Sequence, residues 1–135
     1  MANGMYVKGI EQLMQAGINL VSDTIKVVLV DTADYTVDLA AHDFLNDVPA
    51  GARVATATLG SKAVTGGAFD AADVTFSTVT GDPSEALIIY KDTGTESTSP
   101  LIMYIDTATG LGVTPNGGDI TVTWDNGANK IFKIG

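Results

Sequence analysis

The 135-residue sequence contains no cysteine. Disulfides, thiolate nucleophiles, zinc ribbons and iron–sulfur clusters are therefore excluded. Stability has to come from a core or from self-association instead. Cations are also scarce. Seven Lys plus Arg stand against 16 Asp plus Glu, a formal net charge of −9, and Arg53 is the single arginine. Nucleic-acid affinity rests mainly on cations that displace phosphate counterions, so nucleic acid is not expected as a partner, and an anionic membrane surface is disfavoured by the same sign. Long apolar runs are missing too. Val27-Val28-Leu29-Val30 and Leu87-Ile88-Ile89 fall far short of the roughly 20 apolar residues of a membrane helix. No basic segment leads into an apolar stretch near the start, so no signal peptide is expected.

What is present describes a globular chain. Hydrophobic residues make up 45% and charged residues 17%, a balance that excludes a disordered tail, and the length suits one domain spanning residues 1–135. Met5 to Gly17 reads as the one substantial helix, because Val7, Ile10, Leu13, Met14 and Ile18 recur at spacings of three and four. Gly17 is its end signal. Residues 1–20 are thus expected to form a helical segment or arm.

From Thr24 onward the texture is strands and turns. Thr24 to Asp31 is β-branched and almost continuously apolar, as expected of a strand covered on both faces. After the polar passage Asp31 to Asp38, a helical turn is expected over Leu39 to Asn46, with Asp38 as its N-cap and Pro49 beyond its end. Further strands are expected over Arg53 to Leu59, Lys62 to Thr65, Ala68 to Asp70, Val74 to Val79, Ser84 to Lys91 and Leu101 to Asp106. Gly66-Gly67 is a two-residue hairpin signal. Asp92 to Pro100, rich in Thr, Ser and Gly, reads as a mobile loop. Ile120, Val122 and Trp124 alternate with Thr121 and Thr123, which marks a half-buried strand with the indole inward. Asp125 to Asn129 reads as the turn into a last strand, Lys130 to Ile134. The fold class is therefore mainly β, an antiparallel sandwich or jelly-roll-like barrel with a short N-terminal helix.

Catalytic constellations are hard to assemble from these residues. His42 is the single histidine, no nucleophile-elbow pattern accompanies it, and it reads as a surface or loop-anchoring side chain. Gly60-Ser61-Lys62 lacks the upstream glycines of a phosphate loop. Asp31, Asp34 and Asp38 lie close in sequence, as do Asp70 and Asp73. Hard cations favour such carboxylates, yet the spacing is not that of an EF-hand and Asp is a common turn residue for local reasons. No catalytic, cofactor-binding or metal-ligating residue is assigned, and no enzymatic activity is expected. Ile25 to Val30, Ala86 to Tyr90 and Leu101 to Ile105 are apolar on both faces. The second face is expected to meet either the N-terminal helix or another subunit.

Several blocks carry a resemblance. Ser22 to Asp31, then Tyr35-Thr36 and His42 to Val48, resemble the opening of small virion structural proteins of tailed bacteriophages. Phe69 to Phe76, Ala86 to Gly94, Pro100 to Asp106 and Pro115 to Trp124 are similar to later segments of those proteins, in the same order. The resemblance implies a virion structural role, best understood for small β-rich members as capsid decoration, or cement. It implies the major capsid protein as partner, a homotrimer as the assembly, and the capsid surface as the location, with host cytoplasm during assembly. A neck or tail component, or a receptor- or carbohydrate-binding module on the virion surface, stays open beside it. The N-terminal segment is the expected capsid-contacting arm.

Overall fold

The computed structural model describes residues 4–106, 111–124 and 131–133. It is built mainly of strands in antiparallel sheets, with one short helix near the N-terminus, as the alternating patterns imply. The elements are β1 (Gly4–Met5), α1 (Val7–Met14), β2 (Ile25–Val30), β3 (Arg53–Thr58), β4 (Ala63–Thr65), β5 (Ala68–Asp70), β6 (Val74–Phe76), β7 (Ala86–Lys91), β8 (Leu101–Ile105), β9 (Ile120–Val122) and β10 (Phe132–Lys133). Short 3₁₀ turns occupy Leu45–Asp47, Ala50–Ala52 and Glu96–Thr98. The expected turn at Asp125 to Asn129, and the ends of the last strand at Lys130 and Ile134, lie outside the described residues.

Five strands form the main sheet in the order β1-β8-β7-β2-β3. β2 sits near its centre, paired with β7 from Ile25↔Lys91 to Val30↔Ala86 and with β3 on its other side. Side chains alternate across a strand, so Ile25, Val27 and Leu29 enter one core while Val28 and Val30 enter another. The first core is closed by the two smaller sheets, β10-β5-β4 and β6-β9, through Phe69, Val74, Phe76, Ile120, Val122 and Trp124. The arrangement is sandwich-like.

The second face is covered by the chain itself. Tyr35, Leu45, Val48 and Ala52, from the excursion between β2 and β3, pack with Tyr6 against Val28, Val30, Ile88 and Tyr104. Neither expected partner, helix or subunit, is needed to bury it. Two bulges fit the faces together. Val30 pairs with Arg53 while Leu29 pairs with Ala55, so Val54 is the extra residue and Arg53 is turned to the second face. Tyr90 pairs with Leu101 while Ile89 pairs with Met103, which sends both Ile102 and Met103 into the first core.

The N-terminal segment is part of this fold from Gly4 onward. β1 pairs with β8 (Gly4↔Tyr104, Met5↔Met103), and the Tyr6 N–H donates to the Ile102 carbonyl at 2.9 Å. The helix is shorter than Met5 to Gly17 because its first residues are recruited as this edge strand. Its end is a Schellman closure with Ala16, at φ 62°, in the left-handed position. The Gly17 N–H reaches the Gln12 carbonyl at 2.7 Å and the Ala16 N–H reaches Leu13 at 3.3 Å. The buried side of α1 also differs from the expected stripe, since Val7 and Met14 are exposed while Gly9 is buried. A Cβ at Gly9 would stand 2.3 Å from the Leu101 carbonyl oxygen and 2.9 Å from the Ile102 Cα. Gly9→Ala would gain about 1 kcal/mol of helix propensity. The backbone collision outweighs that gain, as overpacking commonly costs about 1–3 kcal/mol. We expect a net loss of stability, measured as a lower denaturation midpoint.

Two further expectations need correction. Leu39 to Asn46 is not one helical turn: the Asp38 carboxylate caps a turn by accepting from Ala40 and Ala41 N–H groups, both at 3.1 Å, and Phe44 then runs extended to bridge Pro100. Asp92 to Pro100 is cross-linked by its own hydroxyls rather than left loose. Buried Ser99 donates through Oγ to the Thr95 carbonyl at 2.8 Å and accepts from the Thr93 N–H at 3.1 Å.

Candidate functional site

The main sheet gathers Lys26 and Lys91 at one end of its central strands. At the end where β2 begins and β7 finishes, cations are paired: Lys26 with Asp92 at 3.1 Å and Lys91 with Asp23 at 3.2 Å. Lys62 Nζ caps the Asp23 carbonyl there. The Asn19 N–H and then Lys91 hold the Asp23 carboxyl below the usual carboxylate range. The opposite end, where β2 finishes and β7 begins, gathers Asp31, Asp34, Asp82 and Glu85. None of these four forms an ion pair with a Lys or Arg among the described residues.

A surface cleft of about 480 Å³ opens at this acidic end. β2 leads into Thr32, Tyr35 and Thr36 on one side, Glu85 precedes β7, and β8 delivers Tyr104 and Asp106. Glu85 Oε1 accepts from both the Thr32 N–H at 3.0 Å and the Thr32 hydroxyl at 2.9 Å, which fixes the carboxylate at the wall. Burial, then the charges of Asp106 and Glu85, push the Tyr104 hydroxyl above its ordinary range. Tyr35 and Tyr104 are almost wholly buried and pack in the second core while forming part of the cleft lining.

Three carboxylates beside the cleft approach one another. Oxygen atoms of Asp31, Asp34 and Asp82 lie within 4.8 Å of each other. Asp31 is buried and its Oδ1 accepts from the Ala33 N–H at 2.9 Å, so it serves the turn. The sequence grouped Asp31 and Asp34 with Asp38, but the structure brings in Asp82 instead, because Asp38 caps its own turn. Asp82 is separated by some fifty residues and carries no local signal. Asp73 and Asp70 also part company. Asp73 Oδ1 accepts from the Trp124 N–H at 3.0 Å, while Asp70 ends β5.

His42 anchors a loop, as expected. Its Nδ1 lies 2.8 Å from the Tyr35 hydroxyl and 3.3 Å from the Asp38 nitrogen, and Tyr35 in turn meets the Tyr6 hydroxyl at 2.9 Å. Burial raises both tyrosines, Tyr35 to about 12. Next to them, burial and then the neighbouring Asp47 lift the Asp43 carboxyl. Burial acts on Asp47 in the same direction, but hydrogen bonds from Asp43 and the Phe44 N–H outweigh it and hold that carboxyl low.

Arg53, the single arginine, is also a fastener. Its Nε and Nη2 donate to the Val48 carbonyl at 3.0 and 2.7 Å, and Nη1 pairs with Glu96. The planar fork closes the excursion against the second face. It is therefore not presented as an anion-binding group. His42, Arg53, Asp31, Asp38 and Asp73 all have local structural partners, and the polar side chains that line the cleft are carboxylates and hydroxyls, without a Lys or Arg among them. No protein-family model matches the chain, and no curated protein is significantly similar to it.

Proposed function

We propose that this chain is a non-enzymatic structural protein of a tailed-phage virion, binding the outside of the major capsid shell as a cement protein and acting as a homotrimer. The observation that carries the reading is the ordered series of sequence blocks, from Ser22 to Trp124, that resemble small phage virion proteins. The architecture is compatible with it. The sandwich has apolar cores on both faces of its main sheet, and its histidine and arginine act as internal fasteners. A protein that binds only the assembled shell shifts assembly by its binding free energy at every site. The trimer rests on the resemblance alone, since the second face of the sheet is buried within one chain.

The test is the copy number and position of the protein in purified particles, read by cryo-electron microscopy. Hundreds of copies on the shell are expected. A single ring's worth at the neck or tail would replace the cement reading with the neck or tail alternative, and absence from particles would end the virion reading.

A further inference from the structure

We propose that His42 is a pH-operated latch on the segment that covers the second core: neutral, its imidazole fastens Tyr35 and the Asp38 turn, and on gaining a proton it lets go of the Asp38 turn and reverses the hydrogen-bond chain through Tyr35 and Tyr6. The proposal is independent of the virion reading.

The hydrogen-bond directions carry it. A peptide N–H only donates, so the Asp38 N–H at 3.3 Å requires a lone pair on His42 Nδ1. A neutral imidazole with an accepting Nδ1 carries its hydrogen on Nε2. The Tyr35 hydroxyl, 2.8 Å from the same nitrogen, must then donate to it, which leaves the Tyr35 oxygen to accept from Tyr6 at 2.9 Å. The chain runs one way, Tyr6 to Tyr35 to His42, and ends on one lone pair. A proton takes that lone pair. The new Nδ1–H faces the Asp38 N–H, donor against donor. Toward Tyr35 the direction reverses: Nδ1–H donates to the Tyr35 oxygen, Tyr35 turns its hydrogen to Tyr6, and the buried Tyr6 hydroxyl loses the acceptor it had.

The charged and titratable surroundings supply the alternative position. Asp38 stands on the same turn, Asp43 and Asp47 follow on the next, Tyr6 faces from the β1–α1 junction, and Tyr104 faces from β8. Arg53 lies beyond, committed to Val48 and Glu96. The Asp47 carboxylate attracts an imidazolium, which the Asp38 N–H rejects. What the latch holds is substantial: Tyr35, with Val37 and Leu39 packed beside it, lies over the second core.

The test is amide hydrogen exchange on the full chain near neutrality and under mild acid, with intrinsic rates corrected for pH. Protection of Asp38 and His42, whose N–H groups bond to His42 Nδ1 and to the Asp38 carbonyl, is expected to fall about tenfold or more in acid as local opening becomes easier. His42→Asn places a non-titrating amide oxygen near the Nδ1 position and should abolish the pH dependence. Unchanged protection in the native protein, or the same acid loss in His42→Asn, would overturn the latch. Should that variant not fold, the imidazole nitrogen shifts of the native protein decide. The Nε2–H tautomer is expected near neutrality, and the Nδ1–H tautomer would refute the proposal.

Discussion

Replacing Trp124 with alanine is expected to lower the unfolding free energy by about 3–5 kcal/mol, the usual range for truncating a buried aromatic. The indole is 4% exposed and belongs to the first core with Ile120 and Val122. It also fastens the end of β9 to the connection between β5 and β6, because Nε1–H donates to the Ala72 carbonyl at 3.0 Å and the backbone N–H of Trp124 donates to Asp73 Oδ1. Alanine would open a cavity and leave the Ala72 carbonyl without its donor. Trp124→Phe separates the two effects, since it keeps much of the volume and loses the hydrogen bond, worth about 0.5–1.5 kcal/mol. Chemical denaturation measures both. A denaturation midpoint unmoved in the alanine variant would mean that the two-stranded sheet contributes little to the first core.

Tyr6→Ala is expected to match that loss, about 3–5 kcal/mol. The ring is fully buried in the second core, and its hydroxyl meets Tyr35. Tyr6→Phe should cost roughly 1 kcal/mol, because it deletes one neutral hydrogen bond and leaves Tyr35 its contact with His42. Thermal or urea unfolding distinguishes the pair. Equal effects of the two substitutions would show that the hydroxyl chain, not the ring, holds the segment. The same position decides how a deletion of Met1 to Lys8 is to be interpreted. Weaker capsid binding by such a protein would report loss of β1 and of a core tyrosine, and not loss of a free contacting arm.

The central strands were legible because their residues announce them. Ile25 to Val30 is β-branched and apolar at nearly every position, and a strand with both faces buried needs that composition. Gly66-Gly67 marked its hairpin because both residues take positive φ, 61° and 80°, which a two-residue turn requires. The bulges were not legible. Nothing in Arg53-Val54 or Leu101-Ile102 distinguishes an extra residue from a regular one, since the register that creates it belongs to the partner strand. The cover of the second face was hidden for a related reason. Tyr35, Val37, Leu39, Leu45, Val48 and Ala52 follow neither a period of two nor one of 3.6, being placed by turns and by the Arg53 clamp. Of the acidic end, Asp31 and Asp34 could be grouped by proximity along the chain. Asp82 and Glu85 join them only through the β2–β7 pairing.

The pairing of Gly4 with Tyr104 has a consequence for how the chain is made. A ribosome working at about 5–20 residues per second takes roughly 5–20 seconds to synthesise the hundred residues between them. Throughout that interval Tyr6 has no β8 to dock on, and the helix that follows it has no Leu101–Ile102 backbone to receive Gly9. β2 and β3 can pair early, but the strand on the other side of β2 is β7, which is also late. The nascent chain therefore carries an apolar strand with one edge open for much of its synthesis. Such edges are templates for wrong partners, so crowded translation of many copies at once is the condition under which this protein would be most exposed to misassembly.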